Sequence, residues 1–290
     1  MRAYLPAYEM RTVRSLGEAL ALLASEPGAW RPFAGGTDLM VLLESGALPR
    51  GRYVNLWGLP ELRGIEVSAD WVSIGALTTY AEIRADDTLT RECPSLGRAA
   101  AQTGGPAIQN RGTLGGNIAN ASPTADSPPV LLVADAEIEL VSTRGARRIP
   151  YARFHRGYKE MDLAADELVA RVHLPRGRSH WRGWYRKVGT RRAQAISKVV
   201  FAGAADLAAG EIRDIRLAFG SVAPVPLRCT ATEATLRGRV PDPAAVANAQ
   251  AILADEISPI DDLRSTAAYR RRVSLNLLGE FLRLIASARS

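Results

Sequence analysis

Two stretches of the chain concentrate residue types that can hold an anionic ligand. The first is Pro32-Phe33-Ala34-Gly35-Gly36-Thr37-Asp38-Leu39. The second runs from Gly112 to Asp126, opening Gly112-Thr113-Leu114-Gly115-Gly116-Asn117 and closing Ser122-Pro123-Thr124-Ala125-Asp126. Both pair glycines with small hydroxyl or amide side chains. Glycine lets the backbone approach a ligand closely and adopt positive φ. Successive backbone N–H groups in such turns form anion-binding nests. The first glycine pair falls between an expected strand and an expected helix, whose N-terminus adds partial positive charge. Thr37 is placed there to donate to a phosphate oxygen. Two separate glycine loops suit a ligand with two phosphates, such as a dinucleotide. A glycine pair is also an ordinary tight turn, so the longer segment carries more of the argument. Neither segment is the GxGxxG of a Rossmann fold or the GxxxxGK of a P-loop. A third stretch, Tyr185 to Val199, sets Lys187, Arg191 and Arg192 on an expected strand and turn. Charged runs of that kind usually face water.

The elements that must position these loops can be read from periodicity. Tyr4 to Pro6 reads as an opening strand and Ser15 to Ala24 as a first helix. Ser15 and Glu18 stand at capping-box spacing. Trp30 to Ala34 is a short apolar strand, followed by a helix from Leu39 to Glu44. Tyr53 to Leu56, Gly64 to Val67 and Trp71 to Gly75 read as strands, and Thr79 to Arg84 and Ser95 to Thr103 as helices. Gly104 to Pro129 shows neither period and reads as one long loop, a length that usually marks function or disorder. Regular structure resumes at Val130 to Ala134 and Glu137 to Ser142, and a strand spans Glu167 to Leu174. The polar run Arg176 to His180 marks a domain boundary. Beyond it, strands are expected at Trp184 to Val188, Ala195 to Ala205 and Ile212 to Phe219. Helices follow at Ala244 to Glu256 and Thr266 to Ala286, the last with Val273, Leu277, Phe281, Leu284 and Ile285 along one apolar face.

Composition narrows the chemistry. The 290 residues, 47% hydrophobic and 23% charged, suffice for two domains with real cores. No apolar run approaches a membrane span, and the N-terminus lacks a secretion signal. A cytoplasmic protein is expected. Two cysteines, Cys93 and Cys229, are too few for an iron–sulfur cluster and form no CxxC pair. The histidines, His155, His173 and His180, show no metal-binding spacing, so no metal site is expected. The net charge of +7 comes from scattered arginines, lysine being scarce. No basic stripe interleaved with aromatics appears, and nucleic acid is not an expected partner.

Taken together, the three stretches resemble the FAD-binding subunits and domains of the molybdenum hydroxylases. These include the medium subunits of aerobic carbon monoxide dehydrogenases and the FAD domain of xanthine dehydrogenases. Ala34 to Leu39 matches the family's AGGTDL loop. Thr113 to Asp126 matches its T-x-G-G-N-x-x-x-A-S-P-x-x-D loop at every fixed position. Lys187 to Val199 looks like its K-x-x-x-R-R-x-x-x-I-x-x-V segment, and Ser265 to Arg270 is similar to its S-x-x-Y-R helix, with one residue more between serine and tyrosine.

The resemblance implies an α+β fold: a PCMH/VAO-type FAD-binding domain of two subdomains, expected over 1–177, and a smaller α+β flavoprotein C-terminal domain over 182–288. It implies FAD as cofactor, held by Pro32, Phe33, Ala34, Gly35, Gly36, Thr37, Asp38, Leu39, Thr113, Leu114, Gly115, Gly116 and Asn117 around the pyrophosphate. Asp126 is expected toward the adenosine end and Lys187 near the isoalloxazine, with Thr103 and Val169 as weaker positional matches. No catalytic residue is expected in the chain itself. The implied role is electron transfer from the 2Fe–2S clusters of a small partner subunit to an external acceptor. A large molybdopterin subunit would complete the complex, as a dimer of heterotrimers. A stand-alone FAD oxidase would need a catalytic base and a substrate pocket within this chain. A non-catalytic scaffold of the same fold would tolerate bulky residues at Gly35, Gly36, Gly115 or Gly116.

Overall fold

The structure, a computed structural model, describes residues 8–191 and 194–287. The strand expected at Tyr4 to Pro6 lies outside them, as does Arg192 of the basic turn. The described chain opens with β1 (Tyr8–Thr12), α1 (Leu16–Ser25), β2 (Trp30–Phe33), α2 (Thr37–Glu44) and β3 (Gly51–Asn55). The strands pair in parallel, in the order β1-β3-β2, with a helix in each crossover. The Ser15 hydroxyl accepts the Glu18 N–H and starts α1, a cap worth about 1 kcal/mol. The Glu18 carboxylate reaches back to the N–H of Arg14 rather than that of Ser15. Ala19, Leu20, Leu22 and Leu23 bury the inner face of α1 against Trp30 and Val54. Val141, Leu168 and Ala170 of the next unit join the same core.

That next unit begins with β4 (Ile65–Val67) and β5 (Trp71–Gly75). Six helices follow: α3 (Tyr80–Ala85), α4 (Asp87–Glu92), α5 (Pro94–Gln102), α6 (Pro106–Gln109), α7 (Leu114–Ala119) and α8 (Pro128–Val133). The unit closes with β6 (Glu137–Ser142), β7 (Gly145–Pro150), β8 (His155–Gly157), β9 (Glu160–Met161) and β10 (Leu168–Pro175). Five strands form an antiparallel sheet in the order β4-β5-β10-β6-β7. Here the structure corrects the sequence reading, because Gly104 to Pro129 is not one loop. It holds α6, α7 and the start of α8. These helices are four to six residues long, too short to display a 3.6-residue period. Their signals are local instead: Pro106 and Pro128 at first helical positions and Thr113 as an N-cap. Helix α4 was also missed, although Asp86 caps it by accepting the Leu89 N–H.

The C-terminal part comprises β11 (Arg182–Val188), β12 (Val199–Ala208), β13 (Glu211–Gly220), β14 (Leu227–Arg228), α9 (Thr230–Leu236), α10 (Pro243–Glu256) and α11 (Ala267–Ser287). Its antiparallel sheet runs β11-β12-β13-β14. Alternation along β12 explains how this sheet joins the rest. Val199 and Phe201 face α10 and α11, packing with Leu253, Leu277 and Phe281. Val200 and Ala202 face the other way, into the core shared with α5 and α8 of the preceding unit. Each large buried side chain in such a core contributes about 1.5–3 kcal/mol. On α11, Leu277, Phe281 and Ile285 are buried as expected, but Leu284 is not, with 45% of its surface exposed.

Candidate functional site

The first glycine loop leaves β2 at Phe33 and enters α2 at Thr37. Gly36 occupies the turn at φ 77°, a left-handed conformation, and α2 has no side-chain cap. The first backbone donor of this stretch to find an acceptor is Met40, which bonds to the Gly36 carbonyl. The N–H groups of Gly35, Gly36, Thr37, Asp38 and Leu39 have no partner among the described residues. Buried or half-buried polar groups are normally paired. The N–H groups of Gly36 to Leu39 are the donors that any α-helix start leaves unpaired, and together with that of Gly35 they form a row of the kind that suits an anion. Bulk is excluded on the far side. A Cβ at Gly35 would overlap the Arg111 carbonyl oxygen, and one at Gly36 would lie 2.5 Å from the Phe33 ring. Phe33, Ala34, Thr37 and Leu39 are half-buried around the loop, while Pro32 and Asp38 are exposed.

The second segment does different work from the nest expected of it. Thr113 caps α7 by accepting the Gly116 N–H. Leu114 donates to the Thr78 carbonyl, Gly115 to Ala76, and Asn117 to Thr113. The N–H groups from Leu114 to Asn117 are therefore spent within the protein. Gly115 is required for packing, since a Cβ there would stand 2.5 Å from the Ala76 methyl. The exception is Asn117, whose Oδ1 is buried without a partner. A buried orphan acceptor is costly, and a ligand hydroxyl or N–H would satisfy it. Gly116 faces the first loop, its added Cβ falling 4.0 Å from that of Ala34. The segment thus forms one wall of the same site.

Its far end reaches the C-terminal domain. The Ser221 N–H donates to the Pro123 carbonyl. Asp126 is buried, and its carboxylate accepts from Lys187 Nζ at 2.7 Å and from the Ser197 hydroxyl at 2.6 Å. The Lys187 ammonium also donates to the Gln102 carbonyl at 2.9 Å. Burial pushes the Asp126 carboxyl upward, while Lys187, Ser197 and Thr103 pull the other way. Thr103 lies in this same cluster, its own hydroxyl donating to Ala99. Tyr80 and Tyr185 border it, and burial raises both phenols well above their ordinary value. The Tyr185 hydroxyl is buried and unpartnered.

This geometry corrects two expectations. Asp126 and Lys187 touch each other, so they cannot serve opposite ends of one extended dinucleotide. The Lys187 charge is also balanced by the carboxylate beside it. Val169 is an inward-facing residue of β10, in the core beneath α7, rather than a group at the site surface.

Three features escaped the sequence reading. Arg111 Nε donates to the Gly35 carbonyl at 3.3 Å, and its guanidinium lies 3.7 Å from the centre of the Trp57 ring. The Tyr185 hydroxyl gave no signal, since burial cannot be read from one tyrosine. Arg270, the last residue of the Ser265–Arg270 stretch, is buried. It holds Asp262 and the carbonyls of Lys198 and Ser221, tying α11 to the strand ends that flank the Asp126 cluster.

Two family models match the chain. Residues 6–177 match the FAD binding domain in molybdopterin dehydrogenase, and residues 184–285 match the CO dehydrogenase flavoprotein C-terminal domain. The chain is 34% identical over 258 residues to a xanthine dehydrogenase FAD-binding subunit from Escherichia coli, covering 88% of this chain and 86% of that one. It is 33% identical over 270 residues to the glyceraldehyde dehydrogenase medium chain of Sulfolobus acidocaldarius, covering 93% and 95%. Among solved structures, reconstituted CO dehydrogenase from Oligotropha carboxidovorans superposes with a TM-score of 0.93 at 25% identity, covering 99% of this chain and 100% of that one. CO dehydrogenase from Hydrogenophaga pseudoflava superposes with a TM-score of 0.91 at 27% identity, covering 96% of each.

Proposed function

The chain belongs to the family of FAD-binding medium subunits of the molybdenum hydroxylases, and from that premise we propose that it is the electron-transfer subunit of such a complex. In this reading electrons arrive from the 2Fe–2S clusters of a small partner subunit and leave to an external acceptor. A large molybdopterin subunit carries out substrate oxidation, and the whole assembles as a dimer of heterotrimers in the cytoplasm. No helix among the described residues is long and apolar enough to cross a membrane.

FAD is the cofactor of the family, and the residues present fit it. The observation that carries the reading is the row of unpaired N–H groups from Gly35 to Leu39, which binds the diphosphate. Phe33 and Ala34, with Pro32 before them, shape the turn. Thr113, Leu114, Gly115 and Gly116 hold α7 as the opposing wall, and the Asn117 amide oxygen offers an acceptor to the cofactor. Bound FAD supplies the redox centre, able to take electrons singly and release them singly or in pairs. Asp126, Lys187 and Thr103 fix the C-terminal domain, 182–288, against the FAD domain, 1–177. Val169 supports α7 from below.

The test is reduction by the partner. The FAD-loaded chain is mixed anaerobically with a reduced small 2Fe–2S subunit and its flavin absorption is followed. Bleaching of the flavin band supports electron transfer. A band that persists beside reduced partner contradicts it.

A further inference from the structure

The five donors of the first glycine loop supply only partial charge. A helix N-terminus is equivalent to roughly half a positive charge, whereas the diphosphate of a dinucleotide carries two negative charges. Phe33 to Leu39 contains no lysine or arginine and contributes the negative Asp38. The loop alone therefore leaves most of the ligand's charge unmatched.

We infer that Arg111 is the cation that completes this site and recognises the cofactor's diphosphate. It rests on the assignment of the Gly35–Leu39 loop to FAD. The guanidinium is held in place before any ligand arrives, stacked 3.7 Å over Trp57 and anchored through Nε to the Gly35 carbonyl. The Arg111 backbone carbonyl also packs against the Gly35 Cα, so side chain and loop move as one. Its two terminal nitrogens are different: neither has a partner among the described residues. Arg63, which lies over the same indole at 4.3 Å, has its terminal nitrogens engaged by the carbonyls of Trp57 and Leu77. Arg147 is likewise committed to Glu167 and Asp162, and Arg228 to Glu233 and Asp135. Arg111 thus presents a fixed, planar pair of free N–H donors beside an anion loop, the geometry that suits phosphate oxygens. Being exposed, it meets the ligand at the mouth of the site.

FAD titrations of the full chain at several salt concentrations test this, using wild type, Arg111→Gln and Arg111→Lys. Charge-assisted hydrogen bonds of this kind predict that Arg111→Gln weakens FAD binding by about 10- to 100-fold. The salt dependence of its affinity should be flatter than in wild type, because one screened attraction is gone. Arg111→Lys should recover part of both. Unchanged affinity in Arg111→Gln overturns the inference. So does weaker binding with the wild-type salt dependence and no recovery by lysine, which would make Arg111 a brace for the loop alone. A wild-type chain that takes up no FAD removes the underlying assignment together with this one.

Discussion

Lys187 on β11 and Asp126 at the end of the second glycine segment meet at 2.7 Å, each with less than a tenth of its side chain exposed. One comes from each domain, so the pair is a junction as well as an ion pair. Removing one partner leaves a buried charge without compensation, which costs about 3–5 kcal/mol. Lys187→Met is expected to destabilise the chain by that order. Replacing both, Asp126→Asn with Lys187→Met, should cost less than the single change. Urea unfolding of Lys187→Met, Asp126→Asn and the double variant measures this. Equal or additive losses would show that the two groups do not depend on each other. Because burial already raises the Asp126 carboxyl, a lone Asp126 will take up a proton, and the deficit of Lys187→Met should shrink as pH falls.

Gly35 and Gly97 separate space from composition. A Cβ at Gly35 collides with the Arg111 carbonyl, while one at Gly97, within α5, meets nothing within 4 Å. Gly35→Ala should cost about 1–3 kcal/mol and abolish FAD retention. Gly97→Ala should gain about 0.5–1 kcal/mol, the ordinary helix preference, and keep its flavin. Thermal melts and flavin content read both. Full flavin in Gly35→Ala would mean that the two loops part without consequence.

Asn117 is expected to trade stability for binding. Its orphan Oδ1 penalises the ligand-free chain by about 1–3 kcal/mol. Asn117→Leu should melt no lower than wild type without FAD, and should show a smaller rise in melting temperature when FAD is added. An undiminished rise would place the amide away from the cofactor.

His155 links pH to the wall of the site. Nε2 lies 3.0 Å from the Ile118 carbonyl and so carries the proton, leaving Nδ1 to accept from Tyr151. Burial lowers the His155 pKa below its usual 6.5, against the opposing pull of that carbonyl. A lowered folded value favours the neutral ring in the native state. Its contribution is therefore complete above about pH 6.5 and is lost as the unfolded chain gains its proton at lower pH. The same sign holds for His173, lowered chiefly by burial. Melting temperature should fall between pH 7 and 5, and His155→Gln should reduce that fall. A pH profile identical to wild type would assign the loss to other groups.

Much of this was legible in the sequence because glycine, capping residues and alternation act locally. Ser15 announces the start of α1, the helix after the first loop begins at Thr37, two residues before the Leu39 expected for it, and β12 alternates cleanly enough to be found. Four things were not legible. Helices α6 and α7, four and six residues long, are too short for the period by which helices are recognised to repeat. The assignment of the second segment to anion binding overlooked where its donors go: the acceptors at Ala76 and Thr78 lie some forty residues earlier in the chain, and only the fold brings them there. The pairing of Asp126 with Lys187 spans two domains, and no local pattern encodes it. Arg111 stood beside the motif unnoticed, since one arginine among many gives no sign of which of its donors are free.

The most direct test of the account is the visible absorption spectrum of the purified chain, with identification and quantitation of any chromophore it releases, run beside Gly35→Ala. One FAD per wild-type chain and none in the variant is the expected result. A colourless wild-type chain that also fails to take up added FAD would contradict the assignment of the Gly35–Leu39 loop and the electron-transfer role built upon it.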